Sequence, residues 1–403
     1  MPKVVFTPSG IRGEVPAGTD LLAAARLLGV DLASLCGGHG LCTRCKVKIM
    51  DGEFAKHQVN SSQGHLTGVN AAERERLSEA ARKLGYRLGC QARVEGDLVV
   101  DVPPESQTQQ QVVRKAATQV AIQAAPSIRL VVTTVAEPVL ESPDGDLQRL
   151  LDAVEFETDL AGLTVDPMVL RDLQPALRAG RWTVTVAVHE AARVIAIWPG
   201  RVATVYGIAV DIGSTTIAGH LCALHSGEVL ASGGLMNPQI RFGEDLMSRV
   251  SYAMMNPGGD LEMTTAVRDG VNGLVDRLLA EAGVGREAVL DSVFVGNPVM
   301  HHLFLGLDPV ELGGAPFALA TQQAFECAAR DLGVRLAPGA RSYLLPCIAG
   351  HVGADAAAVT LAQSPYQQDE VTLVIDVGTN AEIVLGNRHA LVPTSITNVT
   401  SSC

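Results

Sequence analysis

Twelve residues, SLCGGHGLCTRC at positions 34–45, restrict this chain more than any other stretch. They set Cys36, Cys42 and Cys45 in a C-x5-C-x2-C pattern, and Cys90 follows in RLGCQAR after 44 intervening residues. Gly37, Gly38 and Gly40 lack a Cβ, so their backbone can wrap closely around a small group and aim N–H donors at it. The loop is suited to something small and anionic.

Four thiolates are the donor set of a [2Fe–2S] cluster, and three in one loop with a distant fourth is the plant-type arrangement, here with one extra residue in the first gap. Zinc is the rival, yet structural zinc sites bring two short-spaced pairs, and only Cys42 and Cys45 form one. Unrelated buried thiols are the plainest alternative, and three within ten positions argue against it. Cys222, Cys327, Cys347 and Cys403 have no such company and read as core or surface residues. His39 reads as a polar loop residue, because Rieske centres use two His with two Cys. CGGHGLCTRCKV together with GCQA resembles the vertebrate-type and plant-type [2Fe–2S] ferredoxin family. The resemblance spans residues 1–103 and implies a β-grasp fold with Cys36, Cys42, Cys45 and Cys90 as cluster ligands.

The rest of that region reads as short strands around one helix: Lys3–Pro8 and Gly13–Val15 about a Ser-Gly turn, a helix over Thr19–Leu28 capped by Gly29, a strand from Cys45 turning at Asp51-Gly52, and a last strand in DLVVDVPP. Residues 104–127 are glutamine-rich and bracketed by prolines, which reads as a linker. Residues 128–205 read as a small α/β module: a strand in IRLVVTTV, a capped helix near SPDGDLQRLLDAV, and strands in WTVTVAVH and RVIAIWPG. Residues 206–403 alternate strands and helices on a larger scale, giving an α/β and α+β multidomain chain.

That last region repeats itself. VDIGSTT (210–216) and IDVGTNA (375–381) share one shape, an apolar strand ending in Asp and a Gly-hydroxyl turn before a returning strand. Such a turn offers N–H groups and hydroxyls to phosphate oxygens and a carboxylate to Mg²⁺. Neither a P-loop nor a G-x-G-x-x-G fingerprint occurs. The pair resembles the two phosphate loops of the actin, sugar kinase and Hsp70 superfamily, whose fold is ribonuclease H-like. By that resemblance Asp211, Gly213, Ser214, Thr215 and Thr216 form the first loop, and Asp376, Gly378, Thr379 and Asn380 the second. Asp211 and Asp376 would serve Mg²⁺ and an attacking water beside ATP.

VGNPVMHHLFLG (295–306) is similar to a segment of one subfamily, the ATP-dependent reductive activators of corrinoid proteins, which join a [2Fe–2S] domain, linker, middle domain and ATPase domain in this order. The resemblance implies return of Co(II) corrinoid to Co(I) in methyl-transfer metabolism, with a corrinoid protein and an upstream electron donor as partners; a homodimer is one assembly open to the chain. A simple [2Fe–2S] carrier and a sugar-kinase-like phosphotransferase are the competing readings. Family members continue through an acidic glycine-rich segment and an adenosine motif, whereas this sequence reaches SITNVTSSC soon after Asp376, so a C-terminally truncated, incomplete ATPase domain is expected. Adjacent His301 and His302 point about 100° apart on a helix, which suits structural or interdomain roles better than one shared metal. A net charge of −12 disfavours nucleic acid. No leader and no long apolar run is evident, which points to the cytoplasm rather than a membrane.

Overall fold

The computed structural model describes residues 1–7, 10–30, 32–34, 36–54, 57–103, 106, 124–141, 143–243, 245–377 and 381–396. Most of the expected linker, together with Gly378, Thr379, Asn380 and Cys403, lies outside the described residues.

The N-terminal region contains β1 (Lys3–Thr7), β2 (Arg12–Glu14), α1 (Leu21–Leu28), β3 (Lys46–Met50), β4 (Gly52–Phe54), β5 (Val59–Ser61), α2 (Ala71–Arg76), α3 (Glu79–Lys83), β6 (Tyr86–Leu88) and β7 (Leu98–Asp101). Five of these strands form one mixed sheet in the order β2-β1-β7-β3-β6, with β1 and β7 parallel. Leu21, Leu22, Ala24 and Ala25 of α1 are buried against Val4, Phe6, Val47 and Val100 of that sheet. Asp20 caps the helix by accepting from Ala23 N–H at 2.8 Å, and Gly29 ends it at φ +74°. At Asp51-Gly52 the chain leaves the main sheet without closing a hairpin. β3 pairs with β6 and β7, whereas β4 pairs with β5, because the Asp51 carboxylate is taken by the Gln63 backbone and side-chain amides at 2.6 and 2.7 Å.

The second region contains β8 (Ile128–Thr134), α4 (Asp146–Thr158), β9 (Thr164–Val165), α5 (Pro167–Ala179), β10 (Thr183–His189) and β11 (Arg193–Pro199), with sheet order β8-β10-β11-β9. Two details depart from the sequence reading. Gly145 occupies the N-cap of α4 without a side-chain bond, and α5, whose cap is Asp166, is a helix that reading lacks. β10 is buried on both faces: Val184, Val186 and Val188 pack under the two helices, while Ala187 belongs to the core of the third region. Further bonds tie the two regions, from Ser127 to Asp291 at 2.6 Å and from Arg330 to Asp166 at 3.1 Å.

The third region has β12 (Tyr206–Ile212), β13 (Thr216–Ala223), β14 (Val229–Met236), α6 (Leu246–Met255), α7 (Gly259–Ala282), β15 (Val289–Gly296), α8 (Pro298–Leu305), β16 (Phe325–Ala328), β17 (Arg341–Leu344) and α9 (Ala354–Gln363). Its sheet runs β14-β13-β12-β15-β17-β16, with β12, β15 and β17 parallel at the centre. α7 buries Val267, Val271, Leu274 and Leu278 in the core beneath that sheet. A separate antiparallel sheet follows, of β18 (Thr372–Val377), β19 (Ala381–Asn387) and β20 (Ala390–Ile396). Among the described residues no helix is long and apolar enough to cross a membrane.

Candidate functional site

The thiols meet as two pairs. Cys45 and Cys90 lie 3.3 Å apart, Sγ to Sγ, and Cys36 is hydrogen-bonded by Cys42. Gly89 N–H donates to the Cys45 carbonyl at 2.8 Å, which brings the distant segment against the loop. A Cβ at Gly89 would stand 3.0 Å from that same carbonyl oxygen and 2.9 Å from Leu32, so the approach requires glycine. Gly37, Gly38 and Gly40 all take positive φ, at 63°, 98° and 72°. His39 is exposed at the mouth of the loop.

The loop favours thiolates. The Cys42 thiol, with N–H groups of Cys42, Leu41 and Gly38, holds the Cys36 thiol down to about 4 against the opposing effect of burial. Cys45 donates to Cys90, which lowers Cys90 and, with burial, pushes Cys45 up. One proton is therefore shared within the second pair. Four thiols gathered from one loop and the Gly89–Cys90 segment offer the thiolate donor set that a [2Fe–2S] cluster takes.

Sequence reasoning missed the residues behind the loop. Glu73 is fully buried and accepts from Arg87 Nε at 2.8 Å, Arg87 Nη2 at 2.9 Å and Leu88 N–H at 3.0 Å, so it anchors the strand that delivers Cys90. Gln91 donates to the Gly38 carbonyl at 3.2 Å and is itself held by Asn70 at 3.0 Å. The signal was available, since Asn70 and Glu73 form a reciprocal capping box at the start of α2.

The second candidate lies where β12 turns into β13. Asp211 is the last residue but one of β12, in register with Ala218 of β13 and Val295 of β15, and Gly213 through Thr215 form the turn that leads into Thr216, the first residue of β13. Behind it, Asn237 donates to the Gly213 carbonyl at 2.8 Å, and Thr215 accepts from Asn237 N–H at 2.8 Å. The Ser214 carbonyl accepts from Arg249, which is fully buried and reaches Gly243 O at 3.0 Å and Gln239 Oε1 at 3.2 Å. Burial pushes the Arg249 guanidinium down to about 9, with Asp245 opposing.

Asp376 is the last residue but one of β18, and the pairing of β18 with β19 echoes that of β12 and β13. A third carboxylate that sequence reasoning missed, Asp355 at the start of α9, is near enough to both aspartates to feel their charge. Burial, and after it the negative charges of Asp211 and Asp376, raise Asp355 from its ordinary 3.8 to about 6. Its approach depends on Gly353, where a Cβ would lie 2.6 Å from Gly296 O, Asn297 Cα and Asp355 Oδ1 alike. The segment VGN at 295–297 thus lies against the start of α9.

His301 and His302 are both buried in α8. His302 Nδ1 lies 2.8 Å from the Pro298 carbonyl and Nε2 accepts from Ala320 N–H at 2.9 Å, which fixes a neutral ring. His301 has no hydrogen-bond partner on either nitrogen among the described residues, and burial lowers it to about 4. His189, Glu190 and Glu326 also gather within 4.8 Å, but Arg341 takes the Glu326 carboxylate at 2.7 Å.

Comparisons with known proteins follow this geometry along the chain. Residues 5–95 match the 2Fe-2S iron-sulfur cluster binding domain, residues 117–204 the RACo linker region and residues 206–368 the RACo middle region. From residue 5 to residue 368 the chain is thus RACo-like in the order of its matched regions. A solved structure described as a reductive activator for corrinoid, iron-sulfur protein is 30% identical with a TM-score of 0.63, and the match covers 98% of this chain and 63% of that one. The corrinoid activation enzyme RamQ of Eubacterium limosum is 34% identical over 183 residues, 45% of this chain and 30% of RamQ. Over 90 residues, 22% of this chain, it is 37% identical to one component of the Na(+)-translocating NADH-quinone reductase of Marinomonas sp. (strain MWYL1), of which 19% is covered. This RACo-type chain therefore spans less than two thirds of these relatives. The mixed α/β fold with an N-terminal [2Fe–2S] domain is the one the sequence implies, while the linker match spans the residues read as linker and small α/β module together, and the middle-region match falls on those read as the ATPase domain.

Proposed function

We propose that this RACo-type chain reductively activates a corrinoid protein, passing one electron to Co(II) and returning it to Co(I), and that ATP with Mg²⁺ drives the transfer. The observation that carries the reading is the grouping of four thiols in a [2Fe–2S] domain placed directly ahead of the RACo linker and middle regions. When bound, the [2Fe–2S] group takes up and releases single electrons, and plant-type clusters sit near about −400 mV. Cys36 with Cys42 and Cys45 with Cys90 hold it as thiolates. Gly38 and Gly40 keep side chains out of the cradle, and Gln91 closes its rim.

At the carboxylate cleft, Gly213, Ser214, Thr215 and Thr216 present N–H groups and hydroxyls to phosphate oxygens. Gly378, Thr379 and Asn380, outside the described residues, would belong to the second turn, and Asp211 and Asp376 would hold Mg²⁺ and orient a water. The cation would neutralise the mutual repulsion of Asp211, Asp355 and Asp376. ATP supplies what so low a cobalt couple demands beyond the cluster's own potential, through a change of conformation. A cytoplasmic corrinoid protein and an upstream one-electron donor complete the cycle, and light scattering on the same sample reports whether the chain forms a homodimer.

The test mixes reduced, cluster-loaded protein with a Co(II) corrinoid protein and follows the Co(I) absorption with and without MgATP. ATP-dependent growth of Co(I) is expected. No Co(I) under either condition overturns the proposal. Equal rates with and without ATP would leave a plain electron carrier.

A further inference from the structure

α1 reaches from the thiol loop to the third region, which it meets through the Arg26 side chain. At its N-terminal end, Leu21 and Leu22 N–H donate to the Ala92 and Gly89 carbonyls at 3.0 Å, on either side of Cys90. At its C-terminal end, Arg26 leaves the [2Fe–2S] domain altogether. Its Nε donates to the Arg241 carbonyl at 2.7 Å, and its guanidinium lies 5.0 Å from the Tyr252 ring centroid and 5.8 Å from that of Phe242. Two residues further along, the Gly243 carbonyl accepts from Arg249, whose other end holds the Ser214 carbonyl in the first phosphate turn.

We propose that Arg26 is a strap that fastens the [2Fe–2S] domain to residues 241–252 and, through the buried Arg249, ties the placement of that domain to the first phosphate turn. The inference rests on the nucleotide reading above only where it says what occupies the turn. Its physical basis is that both arginines bond carbonyls of the same short segment, Arg26 that of Arg241 and Arg249 that of Gly243. A shift of the turn that moves the Ser214 carbonyl must move Arg249 or break its bond. Arg249 is fully buried and held by Gly243, Gln239 and Met300 as well, so the displacement passes to the segment that Arg26 stacks on.

The Arg26 end is the one built to release. One of its Nη atoms is buried without a hydrogen-bond partner among the described residues. A stacked guanidinium with one backbone bond and one orphaned donor is a grip that small movements can break. Reciprocity then requires that whatever loosens the strap also alters binding at the turn, by the same factor.

Hydrogen exchange on the full, cluster-loaded chain tests this with Arg26→Gln, and with Leu27→Gln as control because Leu27 is exposed on the same turn of α1. Without nucleotide, R26Q is expected to exchange about fivefold faster or more across 241–252 and, less strongly, across 213–216, while β3 and β7 stay unchanged and L27Q matches the parent protein. Unchanged exchange at 241–252 in R26Q overturns the strap. Change at 241–252 with none at 213–216 overturns the tie to the phosphate turn. A second arm adds Mg²⁺ with a non-hydrolysable ATP analogue, expected to shift exchange at 21–28 in the parent and not in R26Q. Failure of the analogue to bind either protein counts against the nucleotide reading, and the first arm still decides the strap.

Discussion

Three of the four thiols come from ten consecutive positions, and the fourth is delivered by one strand end whose Gly89 N–H reaches the Cys45 carbonyl. The carboxylates Asp211, Asp355 and Asp376 come from two hairpins and a helix start, far apart in the chain. The electrostatics differ in the same way. In the thiol loop, neighbouring thiols and N–H groups lower Cys36 and Cys90 while Cys45 is pushed up, so one thiol of each pair is drawn toward the ionised form a metal requires. Among the three carboxylates, burial and then like charges raise Asp355, so the group opposes its own ionisation. One site is prepared by its backbone, and the other is set against itself by tertiary assembly.

The largest effect expected falls on the first site. Cys90→Ser removes the one ligand outside the loop and is expected to abolish the visible absorption and the reduced-state paramagnetic signal of the cluster. Retention of both would mean that the loop alone binds it. Next comes the anchor behind Cys90. Arg87→Met leaves Glu73 buried without its cation, a loss of about 3–5 kcal/mol for a broken buried pair, read as a lower urea midpoint for bleaching of the cluster. An unchanged midpoint would mean that the pair does not support the site.

The third region offers a test of burial by pH. His301 is neutral when folded and drops to about 4, whereas unfolded histidine titrates near 6.5. Its contribution is therefore complete above pH 6.5. As pH falls from there toward 4, the unfolded chain takes up a proton that the folded chain refuses, and stability declines by up to about 3 kcal/mol. His301→Leu is expected to remove that slope in a plot of unfolding free energy against pH. An identical slope in the variant would place the proton uptake elsewhere.

The contrast also explains what could be read from sequence. The thiol loop is local, so spacing and glycines disclosed its chemistry. The two Asp-Gly turns were legible because the chain repeats them, and β12 with β13 and β18 with β19 do form matching hairpins. Asp355 was not legible, because GADAAA reads as an ordinary helix start, and only Gly353 lying against Gly296 and Asn297 brings it to the cleft. Glu73 and Arg87 look like surface charges on paper. Their burial depends on α2 folding over β6, which no periodicity in six residues announces. α5 escapes a sequence reading for a related reason, since Pro167 and Pro175 mask a helix whose first turn tolerates proline.

The finest division between the two plans is Asp355→Asn. Asp355 Oδ1 accepts from Ala356 N–H at 2.8 Å, so the carboxylate could serve only the first turn of α9, where a negative charge is favoured. On that account the variant loses stability and binds nucleotide unchanged. If the carboxylate instead faces its two neighbours as part of a cation site, the signs reverse. The raised Asp355 stabilises the fold fully only below about 3.8, where it is protonated in both states. That advantage is lost as pH rises to about 6, because ionisation is then resisted in the folded state alone. Asparagine removes the penalty, so the apo protein is expected to gain stability at neutral pH and nothing at pH 4. The same change deletes one of three charges facing the cation, and Mg²⁺-dependent ATP affinity is expected to fall on the order of tenfold, ~1.4 kcal/mol. A gain in melting temperature paired with a loss in calorimetric affinity would identify a site whose charges are held apart from partners they are meant to meet. Any other pairing of signs would return Asp355 to the helix cap.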